Sequence, residues 1–217
     1  MIKIIVFDFD GVLVDSLPVK DNAYYKLFLP YGEQQARQAL EYHVTHRGMF
    51  RIDKIHAICE EVIGLSVSHD TIKRLEQDFR GMIIDQTISA PPIKGAMEFI
   101  KSSSLQKCYI VSAVPQEEIR YIVNRRGLSS FFKNVYGGPE KKSSIIKSIL
   151  QNEKSSPLEL LFIGDAFTDY LAARENNAQF LGIVVNQSEN PFPKDIPVER
   201  DLTCLTEVIG EIKSSQP

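Results

Sequence analysis

Asp8-Phe9-Asp10-Gly11-Val12-Leu13-Val14-Asp15-Ser16 follows directly on the apolar run Ile2, Ile4, Ile5, Val6 and Phe7. A buried strand thus empties into an acidic loop hinged at a glycine. Side chains alternate along a strand, so Asp8 and Asp10 leave the strand end on the same side, and Gly11 can take the positive φ of a sharp turn. Two carboxylates held that close need a cation or a proton between them. The stretch reads as a reaction site at the mouth of a buried strand.

Beyond the acidic loop the periodicity changes. Up to about residue 88 apolar residues recur at i, i+3 and i+4 over Asn22–Leu29, Gln34–His46, Asp53–Ile63 and His69–Ile84, which predicts helices with no strand between them. From Pro91 onward short β-branched or aromatic runs alternate with helical stretches, the pattern of βαβ units around a parallel sheet. The runs predict strands over 107–111, 134–136, 158–163 and 179–185, with helices over about 94–103, 115–126, 142–151 and 167–176. With the N-terminal strand this makes at least five parallel strands. The expected fold class is α/β: a parallel-sheet core from residues 1–15 and 88–217, and an inserted all-helical unit, residues 16–87, placed to act as a lid. Pro91-Pro92 marks the return to the core, since consecutive prolines stop a helix and stiffen the crossing.

In an open parallel sheet the ligand sits beyond the carboxyl ends of the strands, so the residues just after each apolar run carry the chemistry. The second core strand ends at Ser112, whose hydroxyl can donate to a phosphate oxygen, and Ala113 beyond it can offer a backbone N–H. After 134–136 comes Gly137-Gly138-Pro139-Glu140-Lys141-Lys142, a loop that delivers a lysine, Lys141 or Lys142, to the start of a helix. A cation there opposes the helix dipole unless it serves a ligand. The strand at 158–163 runs into Gly164-Asp165-Ala166-Phe167-Thr168-Asp169, where either Asp can instead cap the helix that follows. Together the strand ends supply Asp8, Asp10, Asp165 and Asp169 with one hydroxyl and one ammonium. Hard oxygen ligands select Mg²⁺ over soft-site metals. The cation lets the carboxylates share a pocket, while lysine and serine hold the remaining charge of a phosphoryl group that a carboxylate can attack.

Composition removes other function classes. At 217 residues, 43% hydrophobic and 24% charged, the chain can bury a sizeable core. A net charge of −3 with Lys and Arg interspersed among acids argues against nucleic acid as a partner. The N-terminal apolar stretch, interrupted by Lys3 and Asp8, is too short for a signal-peptide core or a membrane span, so no membrane partner and a cytoplasmic location are expected. Cys59, Cys108 and Cys204 fit neither a disulfide framework nor a zinc site and read as buried small apolar residues. His43, His46, His56 and His69 form no metal-ligand pattern and read as surface or packing residues of the helical insert.

In order and spacing, four motifs resemble those of the haloacid dehalogenase-like (HAD) hydrolase superfamily: Asp8-x-Asp10, Ser112, the lysine after Gly138-Pro139, and Gly164-Asp165-x-x-x-Asp169. The helical insert looks like the C1-type cap of its subfamily I. The resemblance implies a Rossmann-like core with a mobile helical cap, and a Mg²⁺-dependent phosphatase of a small phosphorylated metabolite. Asp8 would be the nucleophile that forms an aspartyl-phosphate, and Asp10 the general acid and base. Asp8, the backbone carbonyl of Asp10, Asp165 and Asp169 would hold Mg²⁺. Ser112, the Ala113 backbone and a lysine would bind phosphoryl oxygens. Lys142, three residues past Pro139, fits a Gly-x-Pro-x-x-Lys loop, with Lys141 the alternative. The alternatives are a sugar phosphomutase of the β-phosphoglucomutase type and a non-catalytic binding protein that keeps the fold. Dehalogenation needs no second carboxylate and is disfavoured by Asp10, Asp165 and Asp169. A phosphonate hydrolase would carry a Schiff-base lysine in the cap, with Lys20 and Lys54 as candidates. Specificity is expected from His46-Arg47-Gly48-Met49-Phe50-Arg51-Ile52-Asp53-Lys54, where Arg47, Arg51 and Lys54 suit an anionic substrate. Monomer and homodimer both remain open.

Overall fold

The computed structural model describes residues 1–102, 106–185 and 190–214. β1 (Ile4–Phe7) lies inside a six-stranded sheet with β2 (Lys107–Pro115), β3 (Asn134–Gly138), β4 (Leu160–Gly164), β5 (Gln179–Ile183) and β6 (Val198–Glu199), in the order β3-β2-β1-β4-β5-β6. All pairs are parallel. Phe7 is level with Ile110 on one side and Ile163 on the other, so the residues after β1 emerge between the ends of β2 and β4.

Strand alternation splits the core into two layers. Ile5, Phe7, Ile110, Ile163 and Leu181 face α5 (Ala96–Ser102), α6 (Gln116–Arg125) and α9 (Leu205–Ser214). Ile4, Val6, Val111, Phe162 and Phe180 face α7 (Lys142–Glu153) and α8 (Phe167–Glu175). β1 is buried on both faces, as a central parallel strand must be, which is why its sequence is continuously apolar. The helical stretch comprises α1 (Leu17–Phe28), α2 (Glu33–Thr45), α3 (Arg51–Ala57) continued by one π-helical turn (Ile58–Val62), and α4 (His69–Ser89). These helices bury a hydrophobic cluster of their own, with Phe28, Ile55, Ile58, Phe79 and Ile83 at its centre. The two chain crossings pair with each other: Val14 bridges Pro92 in antiparallel fashion, Asp15 N–H donates to Pro91 C=O at 2.9 Å, and Ile93 N–H donates to Leu13 C=O at 3.0 Å.

The structure differs from the sequence expectations at several edges. α1 starts at Leu17 rather than Asn22, because Pro18 opens its first turn with the fixed φ a helix start needs. β2 runs on through Ser112 and Ala113 to Pro115, with a register shift against β3 between Val111 and Pro115, so Ser112 lies within the strand and not beyond it. Leu158 belongs to a 3₁₀ turn, Pro157–Glu159, and not to β4. β6 and α9 have no counterpart in the expected elements; β6 spans two residues, too few to show a period. The last residue of the helix expected over 94–103 falls outside the described residues. Cys59 and Cys108 are buried as expected, whereas Cys204 is exposed.

Candidate active site

Asp8 is the first residue past β1. Its Oδ1 accepts the Phe9 N–H at 2.6 Å, and its Oδ2 lies 2.8 Å from Lys142 Nζ. The same ammonium sits 2.7 Å from Asp169 Oδ1, and Asp169 Oδ2 accepts the Ala166 N–H at 3.1 Å. Asp169 therefore both caps the start of α8 and meets Lys142, so the two readings of that residue hold together. Lys142 is buried at the first turn of α7, where a cation opposes the helix dipole; Asp8 and Asp169 make the position tolerable. Lys141, the residue before α7, is exposed. Ser112 is buried, and its Oγ accepts the Val114 N–H at 3.2 Å.

Oxygens of Asp8, Asp165 and Asp169 all lie within 4.8 Å of one another. Carboxylate oxygens gathered this closely are the ligand type a hard divalent cation such as Mg²⁺ takes. The donor chemistry agrees, being carboxylate only. Burial raises the Asp8 carboxyl to about 7 against the pull of Lys142, with Asp169 and Asp10 pushing the same way as burial. Burial, Asp8 and Asp169 likewise hold Asp165 well above the carboxylate range. A buried cluster that resists its own ionisation is a cluster that fits a hard cation. Gly11, at φ +76°, turns the chain over this cluster; a Cβ there would lie 2.6 Å from Asp165 Oδ2.

Asp10 faces the helical insert. Its Oδ1 accepts the Ser16 hydroxyl at 2.6 Å and its Oδ2 is paired with Lys20 from α1. Burial alone would raise this carboxyl, but the Lys20 charge and the two side-chain hydrogen bonds outweigh burial and hold it below its ordinary value. A cavity of about 70 Å³ separates core from insert, lined on the core side by Asp8, Asp10, Asp165 and Ser112 to Val114. Lys20, Tyr24, His43, Arg47, Arg51 and Lys54 line its other wall.

All three cations expected in the specificity segment line the cavity, but in different states. Arg51 is buried and reaches across to the core: its guanidinium pairs with both oxygens of Glu118 on α6 and lies 2.9 Å from Glu76 on α4. Arg47 gives Nη2 to Asp21 at 3.0 Å, while its Nη1 has no partner. Lys54 is buried against His43, Nζ to Nδ1, at 3.1 Å. Gly48, at φ +79°, lets the same segment close on the core, since a Cβ there would run into the Thr168 hydroxyl. Lys20, which the sequence offers only as a candidate cap lysine, is held by Asp10, and Tyr24, His43 and Glu118 are not marked as site residues by the sequence. Glu118 carried a signal, because it sits four residues before Ile122 on the buried face of α6.

Paired acidic strand ends thus surround a buried lysine, on a doubly wound sheet with a helical insert after the first strand. Residues 2–177 match the model of the haloacid dehalogenase-like hydrolase family, and the chain belongs to that family. It is similar to a phosphoglycolate phosphatase of Vibrio parahaemolyticus, 25% identical over 96% of each chain. A second phosphoglycolate phosphatase, from Pseudomonas putida, is 21% identical over 94% of this chain and 78% of the relative. Among solved structures, a β-phosphoglucomutase of Clostridium difficile superposes with a TM-score of 0.79 at 20% identity, covering 99% of this chain and 98% of the other, a likeness of fold. Among the described residues no helix is long and apolar enough to cross a membrane.

Proposed function

We propose that the protein is a Mg²⁺-dependent phosphatase of small phosphorylated metabolites that works through an aspartyl-phosphate on Asp8, with residues 16–87 acting as its cap. The observation that carries this reading is the Asp8–Lys142–Asp169 contact, with Asp165 beside it. Asp8 attacks phosphorus while Asp10, aimed at the cavity by Ser16 and Lys20, protonates the departing oxygen with a proton it takes up from solvent once the substrate anion draws Lys20 away from it. In the second step Asp10, as a carboxylate, takes a proton from the water that cleaves the acyl phosphate. Lys142, the Ser112 hydroxyl and the backbone at Ala113 hold the phosphoryl oxygens, so the charge that develops there meets fixed donors. Asp8, the Asp10 carbonyl, Asp165 and Asp169 would hold Mg²⁺, which supplies neutralising charge at the phosphoryl group. The relatives named as phosphoglycolate phosphatases favour hydrolysis over the mutase reading.

Phosphate release from a panel of phosphorylated metabolites, by wild type and Asp8→Asn, with Mg²⁺ and with EDTA, tests the reading. Release that falls at least ~10³-fold in Asp8→Asn and stops in EDTA is expected, with far-ultraviolet circular dichroism unchanged. Near-wild-type release from Asp8→Asn removes Asp8 as nucleophile. Isomerisation of a sugar phosphate without phosphate release replaces the phosphatase with a mutase.

A further inference from the structure

The cations in the cavity wall divide by whether a carboxylate meets them. Lys20 is paired with Asp10, and Arg51 is taken up by Glu118 and Glu76. A substrate anion at Arg51 would have to displace Glu118, a carboxylate that is itself only 4% exposed. Lys54 is different. It is 3% exposed, lines the cavity, and has no carboxylate within salt-bridge distance among the described residues; its hydrogen bond goes to His43 Nδ1. Burial keeps His43 uncharged down to about pH 4, so the ring offers Lys54 a lone pair and no charge. The His43 ring stacks on Tyr24 at 4.0 Å, and Lys54 Nζ lies 5.6 Å from the same Tyr24 ring, which fixes where the amine can be. Burial, with Lys20 and Arg47 nearby, brings the Lys54 ammonium down to about 7. Shedding its proton more readily is how a buried amine without a counter-ion lowers its cost, and an anion arriving through the cavity would favour the charged form again.

We propose that Lys54 forms a second anion subsite in the insert wall, which takes the carboxylate of a short phosphorylated carboxylic acid. The phosphatase reading supplies the position of the phosphoryl group, at Asp8; the subsite itself follows from a buried amine that faces the cavity with no carboxylate beside it. One ammonium matches a singly charged carboxylate, whereas a second phosphate would bring nearly twice that charge. Lys54 and the core carboxylates line the same cavity of about 70 Å³, which suits a short carbon chain between the two groups. Of the three cations expected from the sequence to set specificity, Lys54 selects the substrate, Arg51 fastens the insert to the core and Arg47 is held by Asp21.

The test is calorimetric binding of 2-phosphoglycolate and of ethyl phosphate, which lacks the carboxylate, to Asp8→Asn with Mg²⁺ present, so that nothing turns over. The parent is expected to prefer 2-phosphoglycolate by at least about tenfold, and Lys54→Met to shrink that preference to about twofold. Lys54→Arg, which keeps the charge, retains most of it. Lys54→Met places an apolar chain of similar length in a buried position and is expected to melt no lower than its parent; Lys54→Gln serves the same purpose. Equal affinity for the two ligands in the parent, absence of binding, or a preference that survives Lys54→Met overturns the subsite. A Lys54-dependent preference in a protein whose wild type releases no phosphate from any ester keeps the subsite and discards the phosphatase. Turnover of both esters with no preference does the reverse.

Discussion

The core wall and the insert wall of the cavity carry opposite charge. The core wall gathers Asp8, Asp10, Asp165 and Asp169 around the single ammonium of Lys142, and the insert wall gathers Lys20, Arg47, Arg51 and Lys54 with Asp21 and Glu76. Ion pairs cross from insert to core at Lys20 to Asp10 and at Arg51 and Arg80 to Glu118, and hold the insert against the core. What remains unpaired on each side is informative. The core keeps a surplus of carboxylate, and on the insert wall Lys54 alone meets no carboxylate among the described residues. A phosphorylated acid under this scheme completes both walls at once.

The comparison breaks most sharply at Lys142. Lys142→Ala leaves the buried Asp8 and Asp169 and the half-buried Asp165 facing one another, and we expect phosphate release to fall at least ~10²-fold with a loss of about 3–5 kcal/mol of stability in EDTA. Mg²⁺ should restore part of the stability and little of the rate, read by urea denaturation and phosphate release side by side. Equal stability of wild type and variant in EDTA would show that Lys142 does not offset that charge. Arg51→Ala leaves the buried Glu118 only the exposed Arg80, at 3.4 Å, with an expected cost of about 3 kcal/mol and a raised KM at unchanged Mg²⁺ affinity. Removing both charges together, as Arg51→Met with Glu118→Leu, should recover most of the stability while the KM stays high. Additive losses in the double variant would end the description of this pair as a fastening.

His43 sharpens the comparison through pH. The folded protein refuses a proton on His43 until about pH 4, while the unfolded chain takes one near 6.5. Between those values the unfolded state binds more protons, so stability falls as pH drops from 6.5 to 4, by up to roughly 3 kcal/mol. His43→Gln should lack that component, which appears as the difference between the two urea-midpoint profiles; parallel profiles would mean that His43 is protonated in the fold. The smallest effect is expected at Lys141, whose side chain stands in solvent next to Lys142. Lys141→Ala should change phosphate release by no more than about twofold.

The core site was legible because each of its residues sits within a few positions of an apolar strand, and a parallel sheet brings strand ends together whatever the loops between them do. Asp8, Ser112, Lys142, Asp165 and Asp169 all follow that rule, even though β2 runs past Ser112 instead of stopping there. The insert wall was legible only in part. Arg47, Arg51 and Lys54 stand in one dense segment and could be marked, but a helix shows which of its own faces is apolar and not which neighbour covers that face. His43 shares its face with Ala39 and Ala36, a packing signature that conceals its contact with Lys54. Glu118 lies 67 residues from Arg51 in the chain. No spacing rule reaches that far.

The sequence by itself determined the parallel α/β core, the helical insert and the acidic cluster at the strand ends, because those depend on local periodicity and on residues at strand ends. Only the tertiary structure decided how the buried charges are shared: Lys142 over Lys141 at the carboxylates, Arg51 claimed by Glu118, and Lys54 left without a counter-ion. Pairing between charges on separate elements is set by distances of a few ångströms across an interface, and a one-dimensional chain carries no record of those distances.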